Sequence, residues 1–481
     1  MMTSVSPSSV PKKSFFAENK KTIGGILGII IAVAIATQPL PSGLSAAGLK
    51  AVAILCWAVI YWVFDVFPDY VVGLAMSALF VITKTAPMNV AFAAYSSDAW
   101  WLLVAAIGLG AAATKTGLLT RISLVVLKIF PATYKGQVMA LIGCGTFLGT
   151  LIPSTTAKMA IMSPVALSIS NALGFEKKSP GATGIFAACG TGFNLSSPFL
   201  MSSSFLAYVA VSLLPKAEQA QFTWSFWFLC AATWGVVLLI GCTLSIFYLY
   251  RPKGNVKLAS GFIDEKLNEL GPFTKEQKLT LGVALACLAF WMTQSLHGIP
   301  ASIVGVAGLC ILLALNVCSR EDFRKLIVWD AIIFLGSVTS LGSVFGTLKI
   351  DAWLGSLFGP ILAPFASNIF LYLATLSIIV YVLRFFVISV GSAVAVLTLV
   401  FAPVSAAQGI DPFIAAFTVY CAGNVWNVFY NSIVWVVAYY ATGGDMVEFK
   451  EMRKFSIAYM IISIIGLMAS VPAWRMLGLL K

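Results

Sequence analysis

The sequence predicts an all-helical polytopic membrane protein with about eleven transmembrane helices and two re-entrant hairpins. Of the 481 residues, 60% are apolar and only 10% are charged, whereas a soluble protein of this size needs roughly a quarter of its residues charged. Apolar runs of membrane-spanning length recur along the whole chain. Four further runs are interrupted near their middles by Gly, Pro, Ser, Thr or Asn.

Uninterrupted apolar runs predict the transmembrane helices, because a helix must cross about 30 Å of hydrocarbon. They cover residues 23–37, 47–65, 70–83 with its flanks, 100–116, 223–249, 277–295, 300–316, 328–345 and 455–475. The first run follows four lysines. We interpret it as a spanning helix rather than a cleaved signal peptide, because its polar leader is long and many apolar runs follow.

The chain divides into four parts: a cytoplasmic N-terminus with the first transmembrane helix (1–46), a first repeat (47–250), a cytoplasmic linker (251–276) and a second repeat (277–481). The duplication is indicated by pairs of residues separated by 229 positions, namely Trp62 and Trp291, Trp100 and Trp329, Gly117 and Gly346, and Pro131 and Pro360. With five crossings and one hairpin per half, the halves start on opposite sides of the membrane. This inverted arrangement is typical of secondary transporters.

The interrupted runs cover residues 137–173, 181–213, 366–407 and 412–441. In lipid every backbone N–H and C=O needs a partner, so a broken helix is tolerated only inside protein or beside a water-filled cavity. We expect 137–173 and 366–407 to be re-entrant hairpins. The sequence therefore predicts that a binding site lies where these four runs meet.

We attribute the formal charge of +12 to basic cytoplasmic loops rather than to nucleic-acid binding. If the N-terminus is cytoplasmic, most lysines and arginines fall in loops on the cytoplasmic side. This indicates a multi-pass protein of a cell membrane, of the bacterial inner-membrane type, with a cytoplasmic N-terminus. The nine cysteines stand singly and there is one histidine, which argues against disulfide frameworks and zinc sites.

The first hairpin tip is rich in hydroxyl groups. Ser154, Thr155 and Thr156 follow Pro153, where a new helix would present free N–H groups that suit a carboxylate. Lys158 follows one turn later, and we expect this costly charge to face a cavity and an anion. Close helix packing and a lysine that reaches the membrane surface are the structural alternatives.

Three other segments supply candidate binding residues. The break in the second interrupted run contributes Thr191, Asn194 and Ser196, and the second hairpin tip contributes Ser389 and Ser392. The fourth run contributes Asn424 and Asn427, which with Asn431 would share one face if the segment is helical. Arg384 is either an anion contact or an interfacial anchor. Sodium is a candidate coupling ion, with ligands drawn from Ser154, Thr156, Gly190, Ser389 and Gly423.

Several motifs resemble the divalent anion/sodium symporter (DASS) family of di- and tricarboxylate transporters. They are the stretch from Trp62 to Pro68, the Pro-Ser-Thr-Thr-Ala tip with Pro164, the break at 190–198, Trp329 to Gly346, and the ending from Pro472. The resemblance runs from about residue 23 to the end. It implies a homodimer in which a transport unit with both hairpins slides against a scaffold in an elevator motion.

The resemblance also implies a Ser-Asn-Thr signature at each hairpin tip, which binds carboxylates and, in cotransporters, sodium. The signature falls on Ser154, Thr155 and Thr156 in the first hairpin and on Ser389, Val390 and Gly391 in the second. Both asparagines are absent, which argues against a sodium site at the second tip. Lys158 and Arg384 resemble the antiporter branch of the family, although the histidine of that branch is Ala393 here.

The sequence therefore predicts a secondary active transporter of a small di- or tricarboxylate, working by anion exchange or cation-coupled symport. The expected partners are the carboxylate, membrane lipid and a second copy of the chain, with no nucleic acid and no cofactor. A sodium/proton antiporter is the alternative within transporters, and an anion channel or an intramembrane enzyme is the alternative outside them. One histidine and no catalytic motif argue against an enzyme.

Overall fold

The computed structural model describes residues 15–152, 154–254, 256–259, 261–385 and 389–480. Pro153 at the first break and the tail 1–14 therefore lie outside the described residues. Within the described ranges the regular structure is helical, and strand-like pairing is confined to an isolated bridge between Thr133 and Lys257.

Twelve α-helices precede the linker in the part of the chain that the structure describes. They are α1 (Phe15–Ala36), α2 (Ala46–Phe64), α3 (Asp69–Ile82), α4 (Met88–Ala91), α5 (Asp98–Lys115), α6 (Leu118–Ile129), α7 (Tyr134–Leu148), α8 (Thr155–Ala172), α9 (Pro180–Gly190), α10 (Phe205–Ser212), α11 (Lys216–Gln219) and α12 (Trp224–Leu249).

The linker and the second half contain the remaining α-helices. They are α13 (Phe262–Glu269), α14 (Lys275–Met292), α15 (Gln294–His297), α16 (Ala301–Ala314), α17 (Arg320–Lys325), α18 (Trp329–Leu348), α19 (Ile350–Ala366), α20 (Ile369–Leu383), α21 (Val390–Ala407), α22 (Pro412–Gly423), α23 (Ile433–Ala441), α24 (Phe449–Ala469) and α25 (Val471–Met476).

Among the described residues, six helical stretches are long and apolar enough to cross a membrane alone, and α5 and α6 form a further candidate span bent by 70°. Four other apolar helices, α3, α16, α20 and α22, are shorter. An all-helical polytopic membrane protein is thereby confirmed. The predicted count of about eleven spans stays a prediction.

Each of the four interrupted runs contains a break in the described backbone. The breaks separate α7 from α8, α9 from α10, α20 from α21 and α22 from α23. At three of the breaks a serine caps the N-terminus of the helix that follows. The hydroxyls of Ser154, Ser204 and Ser389 each accept a hydrogen bond from a backbone N–H in the first turn of that helix.

Trp62 and Trp291, which lie 229 residues apart, make the same contact in the two halves. The other predicted pair does not, because Trp100 Nε1 donates to the carbonyl oxygen of Ile332 and Trp329 Nε1 to that of Phe323. Trp62 Nε1 donates to the carbonyl oxygen of Asp69, the first residue of α3, at 3.2 Å. Trp291 Nε1 donates to the carbonyl oxygen of Ala301, the first residue of α16, at 3.0 Å. This shared contact supports the predicted duplication, although the inverted orientation of the halves stays a prediction.

The glycine and proline pairs do not occupy equivalent positions. Gly117 has φ +68° just before α6, whereas Gly346 lies inside α18, and the left-handed residue before α19 is Lys349. Pro131 lies between α6 and α7, whereas Pro360 lies within α19. Spacing alone was misleading here because the connection between α18 and α19 differs in length and conformation from that between α5 and α6.

Buried apolar side chains form two hydrophobic cores. The smaller core is built mainly from α2, α3, α5 and α18, and the larger from the broken helices with α12 and α24. Helices α5, α10 and α21 contribute residues to both cores. Two of the helices that follow a break, α10 and α21, therefore lie where the cores meet.

Candidate binding site in the broken helices

The second helix of each predicted hairpin, α8 in the first and α21 in the second, starts at a capping serine. Ser154 Oγ accepts from the N–H of Ala157 at 3.3 Å, and Ser389 Oγ accepts from the N–H of Ser392 at 3.2 Å. Thr155 is buried, and Ser154 is partly buried. Because the N-terminus of a helix carries about half a positive charge, both starts favour anions.

Lys158 does not face a cavity, contrary to the prediction. Its side chain is completely buried, and Nζ donates to the carbonyl oxygens of Gly149 at 3.2 Å and Ser203 at 2.8 Å, and to Ser203 Oγ at 3.0 Å. Three acceptors use all three ammonium protons. Lys158 therefore joins both arms of the first hairpin to the neighbouring break, and its charge is surrounded by neutral oxygens.

Arg384 is also completely buried, so an interfacial anchor is wrong. Nε donates to the carbonyl oxygen of Gly423 at 3.0 Å, and Nη2 donates to the carbonyl oxygen of Asn431. Arg384 thus joins the second hairpin to the break of its own half, as Lys158 does in the first half. Sodium is disfavoured at the Gly423 carbonyl because a guanidinium already binds it.

The break after α9 is fully buried, and two of its hydroxyls bond to nearby backbone. Thr191 Oγ1 donates to the carbonyl oxygen of Ala187 at 2.8 Å, and Ser196 Oγ donates to that of Gly192 at 2.6 Å. These hydroxyls bond one turn back, which is the structural alternative to ligand binding. Asn194 Oδ1 differs, because it is buried without a hydrogen-bond partner among the described residues.

Asparagines 424, 427 and 431 do not share one helical face, so that expectation is wrong. Helix α22 ends at Gly423, and the chain up to α23 is irregular apart from one 3₁₀ turn. Asn427 Oδ1 accepts from Ser456 Oγ at 3.0 Å. Both polar side-chain atoms of Asn431 are buried without a partner among the described residues.

The four broken runs pack into one bundle across the two halves. Helix α8 of the first hairpin packs against α23, and α21 of the second hairpin packs against α10. Tyr420 Oη and Ser197 Oγ, which belong to α22 and to the break after α9, lie 3.3 Å apart. Buried polar atoms without described partners remain on Asn194, Ser392 and Asn431. The bundle therefore retains hydrogen-bonding capacity for a polar ligand.

Sequence reasoning missed Asp69, the first residue of α3. Its carboxylate lies beside the hydroxyl of Ser389 at the second tip, and among the described residues it forms no ion pair. An acid at the start of an apolar helix was the available signal. A carboxylate next to a hydroxyl suits a cation rather than an anion.

The structure contains two adjoining cavities, with volumes of about 520 and 1010 Å³. Ala93, Ser212, Gln219 and Ser343 line both cavities, and none of the predicted binding residues lines either one. Among the described residues, no group of three or more His, Cys, Asp or Glu side chains could hold a metal ion.

Interrupted helices and buried cations inside a bundle of apolar spans define the class of membrane transporters. The chain belongs to the sodium:sulfate symporter family, since the family model described as the sodium:sulfate symporter transmembrane region matches residues 19–480. The predicted DASS resemblance is thereby confirmed. The chain is a member of a transporter family and not an enzyme.

Curated relatives are similar over most of their length. The inner membrane protein YbhI of Escherichia coli is 26% identical over 95% of this chain and 98% of its own. The putative malate transporter YflS of Bacillus subtilis is 27% identical over 69% of this chain and 71% of its own. The chloroplastic dicarboxylate transporter 2.1 of Arabidopsis thaliana is 24% identical over 85% of this chain and 73% of its own.

Two solved structures share the fold. The YdaH transporter of Alcanivorax borkumensis aligns with a TM-score of 0.51 at 15% identity, covering 95% of this chain and 97% of that one. MtrF of Neisseria gonorrhoeae aligns with a TM-score of 0.53 at 14% identity, covering 93% of each chain. At such identities the similarity concerns the fold alone.

Proposed function

We propose that the protein is a secondary active transporter that moves a small di- or tricarboxylate by alternating access, with anion exchange as its mode. The observation that carries the proposal is the buried ammonium of Lys158, whose partners are neutral oxygens. Placing such a charge at membrane depth costs about 2.5 to 3.5 kcal/mol. We infer that the protein retains this costly charge because it attracts an anionic ligand.

The first hairpin tip is electropositive in two ways. Lys158 contributes its ammonium group in the first turn of α8, and the helix N-terminus at Ser154 contributes about half a positive charge. The hydroxyls of Ser154, Thr155 and Thr156 supply hydrogen bonds at the same helix end. We therefore assign carboxylate binding to this tip, with Lys158 acting through its field rather than by contact.

The relatives support the substrate class and the membrane. Two carry the words malate or dicarboxylate transporter in their names, and YbhI is an inner membrane protein. We extend both properties to this chain, and place it in a cell membrane of the bacterial inner-membrane type.

Ion pairs between distant loops support the predicted sidedness. Lys115 and Asp322 approach to 2.5 Å, and two further pairs link Lys128 with Asp264 and Lys177 with Asp445. Each pair joins loops that the charge pattern assigns to the cytoplasm. Hydrogen bonds from Lys115 and from the side chain and backbone of Ser319 lower the pKa of Asp322 to about 2, so its carboxylate is ionised at neutral pH and the contact with Lys115 persists.

The two cores suggest which parts move. Helices α10 and α21 lie at the boundary between the cores, and both large cavities open along the same boundary. We propose that the bundle of broken runs slides along this boundary as a transport unit, in the elevator manner of a homodimeric carrier with inverted repeats.

Replacement of Thr156 or Ser154 by alanine tests the first tip. Loss of either hydroxyl is expected to reduce succinate uptake into proteoliposomes at least tenfold, because a buried hydrogen bond to a charged group contributes about 1.5 to 3 kcal/mol. Ser154→Ala also removes a helix cap at a cost of about 1 kcal/mol, so Thr156→Ala is the cleaner variant.

The matched control is Ser168→Ala, farther along the same helix, where the hydroxyl donates to the carbonyl oxygen of Pro164. This control is expected to retain uptake. Normal uptake kinetics in both Ser154→Ala and Thr156→Ala would contradict the assignment of the tip.

Sodium replacement tests the mode of transport. Exchange of internal and external succinate is expected to persist when choline replaces sodium, because Val390 and Gly391 provide no side-chain oxygen at the second tip. The carboxylate of Asp69 beside Ser389 favours cation-coupled symport as the second candidate. Sodium dependence that Asp69→Asn abolishes and Asp351→Asn preserves would establish symport instead.

A further inference from the structure

The 3₁₀ turn Met201–Ser203, in the break before α10, lies between the 520 Å³ cavity and Lys158. We call it the partition turn. Met201 lines the cavity, and the carbonyl and hydroxyl oxygens of Ser203 accept from Lys158 Nζ at 2.8 and 3.0 Å. Ser202, between them, lines a void of about 20 Å³. Three consecutive residues therefore face the cavity, the void and the buried ammonium in that order.

The small void reaches the first hairpin. Thr150 lines it together with Ser202 and Trp291. Thr150 follows Gly149, whose carbonyl oxygen accepts from Lys158 Nζ at 3.2 Å. Trp291 also lines the 520 Å³ cavity, so its side chain and the partition turn stand between the cavity and the hairpin. A void of this size has room for a water molecule but not for a carboxylate.

Trp224, the first residue of α12, holds the partition turn from the cavity side. It lines the cavity, and its Nε1 donates to Ser202 Oγ at 3.1 Å. Its ring stacks on that of Phe228, with centroids 6.1 Å apart and planes inclined by 12°. The backbone bond of the turn, from the N–H of Ser203 to the carbonyl oxygen of Leu200 at 2.9 Å, is of the 3₁₀ type, whose geometry is poorer than that of an α-helix. The indole contact therefore helps to keep the turn closed.

The cavity lies at the opposite end of α5 from a cytoplasmic ion pair. Asp98, the first residue of α5, lines the cavity, whereas Lys115, the last residue, pairs with Asp322. A helix of 18 residues is about 27 Å long, which is close to the thickness of the hydrocarbon layer. With the sidedness proposed above, the cavity opens towards the outer face of the membrane.

We propose that Trp224 and Ser202 form a gate through which a small carboxylate passes from the outer cavity to the first hairpin tip. The inference rests on the proposed function, because it assigns an entry route to the carboxylate site at that tip. When the indole withdraws from Ser202, the partition turn is released and the void at Thr150 merges with the cavity. Trp224 is a positioning residue, since it acts on the route through Ser202.

A native thiol reports whether the gate is open. Cys287 of α14 lines the void and is 4% exposed. The test is the rate at which a negatively charged methanethiosulfonate modifies Cys287 in the purified protein, resolved by peptide mass spectrometry. This rate is expected to rise about fivefold or more in Trp224→Phe and in Ser202→Ala, because either change removes the hydrogen bond that favours the closed state.

Two further variants separate the gate from a general loosening of the fold. The double variant is expected to react no faster than the single variants, since both changes remove the same contact. The control Ser212→Ala removes a hydroxyl from the wall of the same cavity, where it donates to the carbonyl oxygen of Val209 at 2.8 Å, and should keep the wild-type rate. Wild-type rates in both single variants, or increases that multiply in the double variant, would overturn the proposal.

Succinate uptake into proteoliposomes then tests whether the carboxylate uses this route. Modification of Cys287 in Trp224→Phe is expected to lower uptake at least about fivefold, because the adduct occupies the void, and Cys287→Ser in the same background should prevent this loss. Full uptake after complete modification would overturn the route. Absence of uptake in untreated wild type would contradict the proposed function instead, and the labelling rates would still decide whether Trp224 and Ser202 hold the partition turn.

Discussion

Replacing Lys158 by methionine is expected to lower the affinity for a dicarboxylate dianion at least tenfold. Methionine fills a similar volume without the charge, so the variant removes the positive field at the first tip. A unit charge about 10 Å from a dianion contributes roughly 3 kcal/mol at an effective dielectric constant of about 20, before screening. Every 1.4 kcal/mol lost corresponds to about a tenfold change in affinity.

Affinity should be measured by titration calorimetry on purified folded protein, with succinate as ligand. The matched control is Lys177→Met, which removes an exposed lysine paired with Asp445 at 2.8 Å and is expected to bind normally. If Lys158→Met folds and binds succinate as tightly as wild type, Lys158 only supports the hairpin and the electrostatic argument is wrong.

Gly145→Ala is expected to separate the first hairpin from the neighbouring break and to lower the melting temperature markedly. A Cβ at Gly145 would lie 2.4 Å from the carbonyl carbon of Gly192, 2.7 Å from its Cα and 2.7 Å from the nitrogen of Phe193. These are backbone atoms, so no side-chain rotation relieves the overlap. Overpacking of this kind costs about 1 to 3 kcal/mol, and more where the backbone must move.

The control lies two residues away on the same helix. Outside the backbone of α7 and the two neighbouring residues, no described atom lies within 4 Å of a Cβ added at Gly143. Gly143→Ala is therefore expected to be neutral, or stabilising by up to about 1 kcal/mol through helix propensity. Thermal unfolding of both variants in the same detergent compares them directly. Equal melting temperatures would show that α7 and the break do not pack as described.

The sequence was sufficient to locate the breaks but not their contacts. Glycine, proline and hydroxyl residues inside apolar runs indicated all four interruptions, since lipid tolerates no exposed backbone. The partner of Lys158, however, is Ser203, which is 45 residues away. Tertiary packing decides whether a buried lysine faces a cavity or a carbonyl, and no local pattern reports this.

The asparagines of the fourth run show a different limit. Their spacing fits a helical face, but the backbone after Gly423 is held by groups from elsewhere. The N–H of Trp426 donates to Ser456 Oγ at 3.0 Å, and Arg384 binds the carbonyl of Asn431. Side chains from α24 and the second hairpin replace the helical hydrogen bonds, so periodicity alone gave the wrong local structure.

Counterflow in proteoliposomes most directly tests the claim that the broken helices enclose a site for small dianions that alternates between the two sides. Vesicles are loaded with a high concentration of unlabelled succinate and diluted into a trace of labelled succinate. A carrier is expected to accumulate label transiently above its equilibrium level, because outward flux of unlabelled substrate returns the site repeatedly to the outer face. Label that equilibrates without this overshoot, or that fails to enter when succinate, malate or citrate is used in turn, would contradict the account.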